Sequence, residues 1–141
     1  MIKILDIDHL VLRTAHLEAM LAFYHDVLGC RIERDELARI GLMQLRAGNA
    51  LIDLVVVDSE LGRLGGGAPS QDGNNLDHFC LRIQAISNEE LKSYLISQGV
   101  ECEDFATRNG AQGFGDSVYI QDPDGNKVEL KSALGTSSQN R

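Results

Sequence analysis

Ile7-Asp8-His9-Leu10-Val11-Leu12-Arg13 lies near the start of the chain, and sixty-nine residues on it returns as Leu76-Asp77-His78-Phe79-Cys80-Leu81-Arg82. Asp, His, Leu and Arg fall in matching places, so one half of the protein reads as a copy of the other. Side chains alternate along a strand, which puts His9, Val11 and Arg13 on one face and Leu10 and Leu12 on the other. A histidine placed identically in two copies of a motif suggests a site to which each copy contributes. Metal binding is therefore the first hypothesis to carry along the chain.

Working outward, residues 2–13 alternate aliphatic with polar groups and predict a strand with two unlike faces. Leu17, Met20, Leu21, Tyr24, Val27 and Leu28 recur at helical spacing before Gly29, which predicts an amphipathic helix with a glycine C-terminal cap. Strands are expected at residues 30–33, 40–45 and 51–57, with the clearest turn at Arg46-Ala47-Gly48-Asn49. Residues 59–75 contain Gly62, Gly65, Gly66, Gly67 and Gly73 and read as a linker. Their glycines lack the Gly-Lys-Ser/Thr ending of a phosphate loop. The order then repeats. A strand at 76–83 precedes a helix announced by Ser87 and Glu90, a capping-box spacing, with Leu91, Tyr94 and Leu95 on its apolar side and Gly99 at its end. Strands follow near 102–105, 117–121 and 127–131, the last two joined by the turn Asp122-Pro123-Asp124-Gly125-Asn126. Residues 107–115, with Gly110, Gly113 and Gly115 beside Arg108, predict a mobile loop near a site, and the tail from residue 132 is expected to fray. The fold expected is α+β, one domain over 1–141 made of paired βαβββ modules at about 1–58 and 76–131.

The bulk properties bound the function. The chain has 141 residues and 43% apolar content, enough for a core without a disulfide or metal staple. Its three cysteines are odd in number, widely spaced and form no CxxC pair, which argues against a disulfide framework and a zinc knuckle and points to the cytoplasm. The N-terminus does not read as a signal peptide, and no apolar run approaches membrane-spanning length. With 21 acidic and 13 basic residues, and no basic cluster, nucleic acid is an improbable partner.

The last strand of each half supplies the acids. Leu51-Ile52-Asp53-Leu54 stands opposite Lys127-Val128-Glu129-Leu130, each with one carboxylate framed by aliphatic residues. Alternation sends the aliphatic residues toward the helix and leaves Asp53 and Glu129 on the face that bears His9 and His78. Two histidines and two carboxylates make a mixed nitrogen and oxygen set suited to divalent Ni, Zn, Co, Mn or Fe. A carboxylate in such a set can also move a proton. Asp53 is one methylene shorter than Glu129, which makes it the weakest member. Arg13 and Arg82 share the histidine face, where either suits a substrate carboxylate. Cys80 lies there too and reads as small buried filler, while His16 and His25 read as surface groups. No serine or cysteine triad is apparent.

These residues resemble the vicinal oxygen chelate superfamily, which includes glyoxalase I, extradiol dioxygenases, fosfomycin-resistance thiol transferases and bleomycin-binding proteins. The resemblance rests on Asp8-His9-Leu10-Val11-Leu12-Arg13, Ala22-Phe23-Tyr24-His25-Asp26-Val27-Leu28-Gly29, Asp77-His78, and the run from Val118 through Asp122-Pro123-Asp124-Gly125-Asn126 to Leu130. The chain is also similar to the virulence-associated glyoxalase-domain branch of enteric bacteria. The resemblance implies a cupped mixed sheet, metal ligands at His9, Asp53, His78 and Glu129, and Ni or Zn as the favoured ion. It further implies that Glu129 is the catalytic base and that Arg13 meets the γ-glutamyl end of glutathione. The expected reaction converts the hemithioacetal of methylglyoxal and glutathione to a thioester, in a homodimer. Thiol transfer to an antibiotic epoxide, dioxygenase chemistry and non-catalytic ligand binding are the alternatives. Asp53 departs from the glutamate usual in bacterial glyoxalase I.

Overall fold

Strand β1 (His9–Thr14) carries the first copy of the repeated motif and pairs in parallel with β4 (Ala50–Val56), His9 beside Leu51 and Val11 beside Asp53. The computed structural model describes residues 1–134. β1 starts later than its sequence pattern predicts. A strand extends only as far as its neighbour, and β4 begins at Ala50, so the last ladder-like bond is Leu51 N–H to the Asp8 carbonyl at 3.0 Å. Residues 1–8 have the alternation of a strand without a partner, and Ile2, Ile4, Leu5 and Ile7 are exposed.

The chain divides into two units, one spanning Met1–Asp72 and the other starting at Gly73. In the first, β2 (Ile32–Glu36), β3 (Leu42–Ala47) and β4 form an antiparallel meander, giving the order β1-β4-β3-β2. Helix α1 (Leu17–Leu21) runs into a π-helical turn, Ala22–Val27, and buries Met20, Phe23 and Tyr24 over the sheet. The sheet residues on that side are Leu12, Met43, Leu45, Ile52 and Leu54, all buried. Each such side chain contributes roughly 1.5–3 kcal/mol on leaving water. The sequence pattern places β3 from residue 40. Instead a single turn, α2 (Leu37–Ile40), intervenes, because Gly41 at φ 82° ends it in the left-handed conformation that starts β3.

The second unit repeats the plan. β5 (His78–Ile83) pairs in parallel with β8 (Lys127–Ser132), and β6 (Ala106–Arg108) and β7 (Gly115–Gln121) complete the order β5-β8-β7-β6. Helix α3 (Asn88–Ser97) starts as the capping spacing predicts, with the Ser87 hydroxyl accepting from Glu90 N–H at 3.2 Å. It buries Leu91 and Leu95 and leaves Tyr94 exposed. Gly29 and Gly99 hold matching positive φ of 76° and 75°, the same helix stop in both copies. The strand expected at 102–105 lies at Ala106–Arg108, paired antiparallel with Ser117–Gly115 of β7; ahead of it a single bond, Glu103 N–H to the Tyr119 carbonyl at 3.1 Å, reaches the sheet. Thr107 and Arg108 are thus strand residues rather than loop. The turn before β8 is organised by Asp122, whose Oδ1 accepts from Asp124 and Asn126 N–H, both at 2.9 Å. Ser132 still belongs to β8, so the expected fraying does not begin there; residues 135–141 lie outside those described.

Candidate functional site

The register decides which side chains share the face away from the helices. In the first unit, pairing of Val11 with Asp53 and of Asp53 with Gln44 places His9, Val11 and Arg13 beside Leu51, Asp53 and Gln44. In the second, pairing of Cys80 with Glu129 and of Glu129 with Tyr119 places His78, Cys80 and Arg82 beside Lys127, Glu129, Lys131 and Tyr119. The faces expected from alternation are the faces observed.

Glu129 is 5% exposed, and its Oε1 lies 3.2 Å from His78 Nε2. The other ring nitrogen of His78, Nδ1, lies 2.7 Å from Asp77. His9 repeats this arrangement, with Nδ1 2.6 Å from Asp8. With the hydrogen on Nδ1, each ring donates to the preceding aspartate and keeps Nε2 as its acceptor nitrogen, the tautomer of metal-bound histidines with carboxylate support. The aspartate bond raises the His9 pKa above the usual imidazole range, and the His78 bond holds the Asp77 carboxyl below its own. Both aspartates are solvent-exposed, so they orient the rings more than they stabilise the fold. Sequence reading passed over Asp8 and Asp77 as ligand-orienting groups, although the signal, one acid directly before each histidine, was in the repeat.

The two carboxylates differ. Asp53 is 4% exposed; Gln44 Nε2 donates to its Oδ2 at 3.2 Å, and its Oδ1 is buried with no hydrogen-bond partner among the described residues. Among the described residues no ion pair links Asp53 to His9, whereas the longer arm of Glu129 reaches His78. Among these residues, too, no three His, Cys, Asp or Glu side chains cluster as a metal centre. The His78–Glu129 pair nevertheless has the spacing of two donors on one ion. Donor atoms bound at about 2.0–2.2 Å with angles between octahedral and tetrahedral lie roughly 2.8–3.6 Å apart, which brackets the His78–Glu129 separation of 3.2 Å. A buried carboxylate oxygen without a donor is the other mark of a ligand, since such groups are otherwise satisfied.

Arg13, the expected substrate contact, is occupied differently. Its Nη1 donates to the Gly67 carbonyl at 2.7 Å, and Nη2 donates to those of Gly66 at 2.6 Å and Gly62 at 3.0 Å. Residues 62–67 wrap this guanidinium closely enough that a Cβ on Gly65 would come within 2.6 Å of Arg13 Nε. The linker glycines therefore serve a side chain of the first unit. Cys80 is exposed, not buried filler, and its thiol is pushed up to about 11 by desolvation and by the negative charge of Glu129 beside it. His16 and His25 are surface groups as expected.

Tyr119, Arg108 and Lys127 were not singled out together in the sequence. Tyr119 packs edge-on against the His78 ring, centroids 5.1 Å apart, and carries the Arg108 guanidinium 4.3 Å and the Lys127 ammonium 5.0 Å from its own centroid. A separate cavity of about 710 Å³ lies at the start of α3, lined by Ser87, Asn88, Asp116 and Ser132 among others, and includes neither His78 nor Glu129.

The family profile of the Glyoxalase/Bleomycin resistance protein/Dioxygenase superfamily matches residues 6–130. A solved structure from the mobile metagenome of V. pseudocholerae, VPC_CASS1, is 28% identical with TM-score 0.71, covering 96% of this chain and 99% of that one. Virulence protein STM3117 of Salmonella typhimurium is 26% identical with TM-score 0.70, covering 94% and 100%. A lactoylglutathione lyase of Agrobacterium tumefaciens, at 22% identity and TM-score 0.62 over 91% and 93%, shares the fold. No curated protein sequence matches. No helix among the described residues is long and apolar enough to cross a membrane.

Proposed function

We propose that this chain, which belongs to the glyoxalase/bleomycin resistance protein/dioxygenase superfamily, is a metal-dependent lyase that converts the hemithioacetal of methylglyoxal and glutathione to a thioester. The observation that carries the reading is Glu129: buried, 3.2 Å from a histidine nitrogen, with that histidine held from behind by Asp77. His9, Asp53, His78 and Glu129 are the proposed ligands of a divalent ion, nickel or zinc before cobalt, manganese or iron. When bound, the ion supplies positive charge that acidifies a neighbouring C–H and holds negative charge developing on oxygen.

The remaining chemistry belongs to the chain. Asp8 and Asp77 keep each ring in the tautomer that presents Nε2. Glu129 takes a proton from one carbon of the substrate and returns it to the next, through its carboxylate oxygens. Its burial excludes water, which would otherwise exchange that proton. Arg13 meets a substrate carboxylate through the donors not committed to Gly62, Gly66 and Gly67, and so couples the glycine segment to substrate. A glutathione adduct as substrate and a homodimeric, cytoplasmic protein belong to the same reading and rest on the family resemblance.

The test follows thioester formation from methylglyoxal and glutathione, using metal-free protein reloaded with Ni, Zn, Co or Mn. Turnover with at least one metal, lost in Glu129→Gln, is expected. No turnover with any of them overturns the lyase. A wild-type protein that binds no divalent ion, or binds it as well after His78→Ala, overturns the metal site and every enzyme reading built on it.

A further inference from the structure

We infer that residues 1–7 form an interface arm, which lays its apolar side chains on a second copy of this chain. The inference deepens the homodimer of the proposed function by naming the segment that holds it, and it rests on that reading for the number of copies. Met1, Ile2, Ile4, Leu5 and Ile7 are each between 76% and 117% exposed, and no later stretch of seven described residues bares more than two large apolar groups. Scattered apolar residues are ordinary on a surface, whereas a dense run of them marks a contact.

The chain does not supply the cover itself. Alternation puts Ile2 and Ile4 on one side of an extended segment and Met1, Leu5 and Ile7 on the other, and a strand apolar on both faces is one to be covered on both. Its own sheet offers no neighbour, since β4 begins at Ala50 and the bond that meets it is Leu51 N–H to the Asp8 carbonyl. Residues 1–8 contain no glycine, proline or asparagine, so nothing in them turns the segment back over its own unit. Tied to the sheet at Asp8, seven extended residues reach roughly 25 Å, against about 15 Å across four paired strands. The arm is long enough to span the sheet of a neighbouring molecule.

Area decides for a second copy over an unrelated protein. Burying one aliphatic side chain takes roughly 60–120 Å² of apolar surface out of water, so the five of one arm remove about 300–600 Å² and, with the surface they cover, about 600–1,200 Å². One arm on an unrelated partner thus stays at or below the lower bound of stable interfaces, about 1,200 Å². Two arms exchanged about a twofold axis bury about 1,200–2,400 Å², the range of a lasting dimer. Charge argues against a lipid surface. Lys3 is outnumbered by Asp6 and Asp8, in a chain of 21 acidic and 13 basic residues, so anionic headgroups repel the arm that their attraction would have to hold.

Analytical ultracentrifugation of the full chain over a range of concentrations is the test, and a dimer is expected. Leu5→Asp weakens it by about a hundredfold or more, because each dimer loses two buried side chains, while Leu5→Met, which keeps the apolar volume, stays within about threefold of wild type. Leu5 is exposed in the single chain, so neither substitution opens a core, and an unchanged far-UV circular dichroism spectrum shows both variants folded. Amides of residues 2–7 exchange about tenfold or more slowly in the wild-type dimer than in Leu5→Asp. A wild type that stays monomeric overturns the inference, and so does a monomer that floats with vesicles of phosphatidylcholine and phosphatidylglycerol. A dimer equally strong in Leu5→Asp, or weakened equally by Leu5→Met, overturns it as well. A dimer that survives Leu5→Asp leaves the homodimer of the proposed function standing on another surface; a monomer at every concentration removes that homodimer and leaves the metal and turnover tests untouched.

Discussion

Asp53→Asn should make the metal-free protein more stable and the metal-loaded protein no better than wild type. In the chain as it stands, Asp53 is 4% exposed, Gln44 bonds one carboxylate oxygen, and the other has no partner among the described residues. A buried acceptor left unsatisfied costs about 1–3 kcal/mol, and more when charged. Asparagine has nearly the same volume, keeps an oxygen for Gln44 and carries no charge to desolvate. Part of the cost persists as a buried amide, so the expected gain in chelator is about 1–2 kcal/mol. A metal present at a hundred times its dissociation constant adds about 2.7 kcal/mol to wild type. Losing one carboxylate ligand weakens binding by roughly tenfold to a hundredfold, which removes about 1.3–2.3 kcal/mol of that increment and offsets the variant's advantage of about 1–2 kcal/mol. Urea unfolding of both proteins, in EDTA and in excess nickel or zinc, measures all four stabilities. A variant less stable than wild type in EDTA would mean the free oxygen does structural service. An identical metal increment in the two proteins would remove Asp53 from the ligand set.

Arg13→Gln removes the charged fork that holds three carbonyls of residues 62–67, so amide exchange in that segment should accelerate by about tenfold, read by mass spectrometry, with the β1–β4 ladder unaffected. Gly65→Ala should reproduce it, because its Cβ would push the guanidinium away. The Cys80 thiol, raised to about 11, stays protonated until pH climbs well past the range of a free cysteine. At pH 8 its alkylation should therefore be about a hundredfold slower than a free thiol's despite its exposure; removing the adjacent negative charge in Glu129→Gln should speed it, and peptide mapping decides. An unchanged rate would place the whole effect in desolvation. Ser87→Ala deletes the α3 cap and should lower stability by about 1 kcal/mol, seen as a drop in melting temperature.

The repeated motif made the faces of both sheets legible because strand alternation has no freedom: once His9 and His78 share a face with their carboxylates in sequence, parallel pairing of β1 with β4 and of β5 with β8 reproduces it. Helix stops at Gly29 and Gly99 were legible for a similar reason, a backbone conformation that glycine alone adopts at no cost. What escaped depends on partners distant in sequence. Residues 2–8 alternate like a strand, but strand length is set by a neighbour that begins at Ala50. Arg13 could be placed on a face, yet its guanidinium finds carbonyls some fifty residues away, and a flexible side chain leaves no periodic trace of that choice. Lys131 read as the end of a strand, because nothing local signals that Gly110 and Gly113 will close over it.

The difference between Asp53 and Glu129 belongs to both kinds of information. One methylene was visible in the sequence, and register tells what it does: the neighbours of Asp53 are Val11 and Gln44, those of Glu129 are Cys80 and Tyr119. A long carboxylate beside a small thiol can swing to the histidine of the neighbouring strand β5, while a short one beside valine turns to an amide. The near-symmetric repeat thus yields one closed pair and one with an oxygen to spare. Lengthening the short arm, Asp53→Glu, should close the second pair onto His9. In the metal-free protein its ring should then titrate at a higher pH than in wild type, as proton NMR would show. A shift toward lower pH would mean that register, not arm length, keeps the two apart.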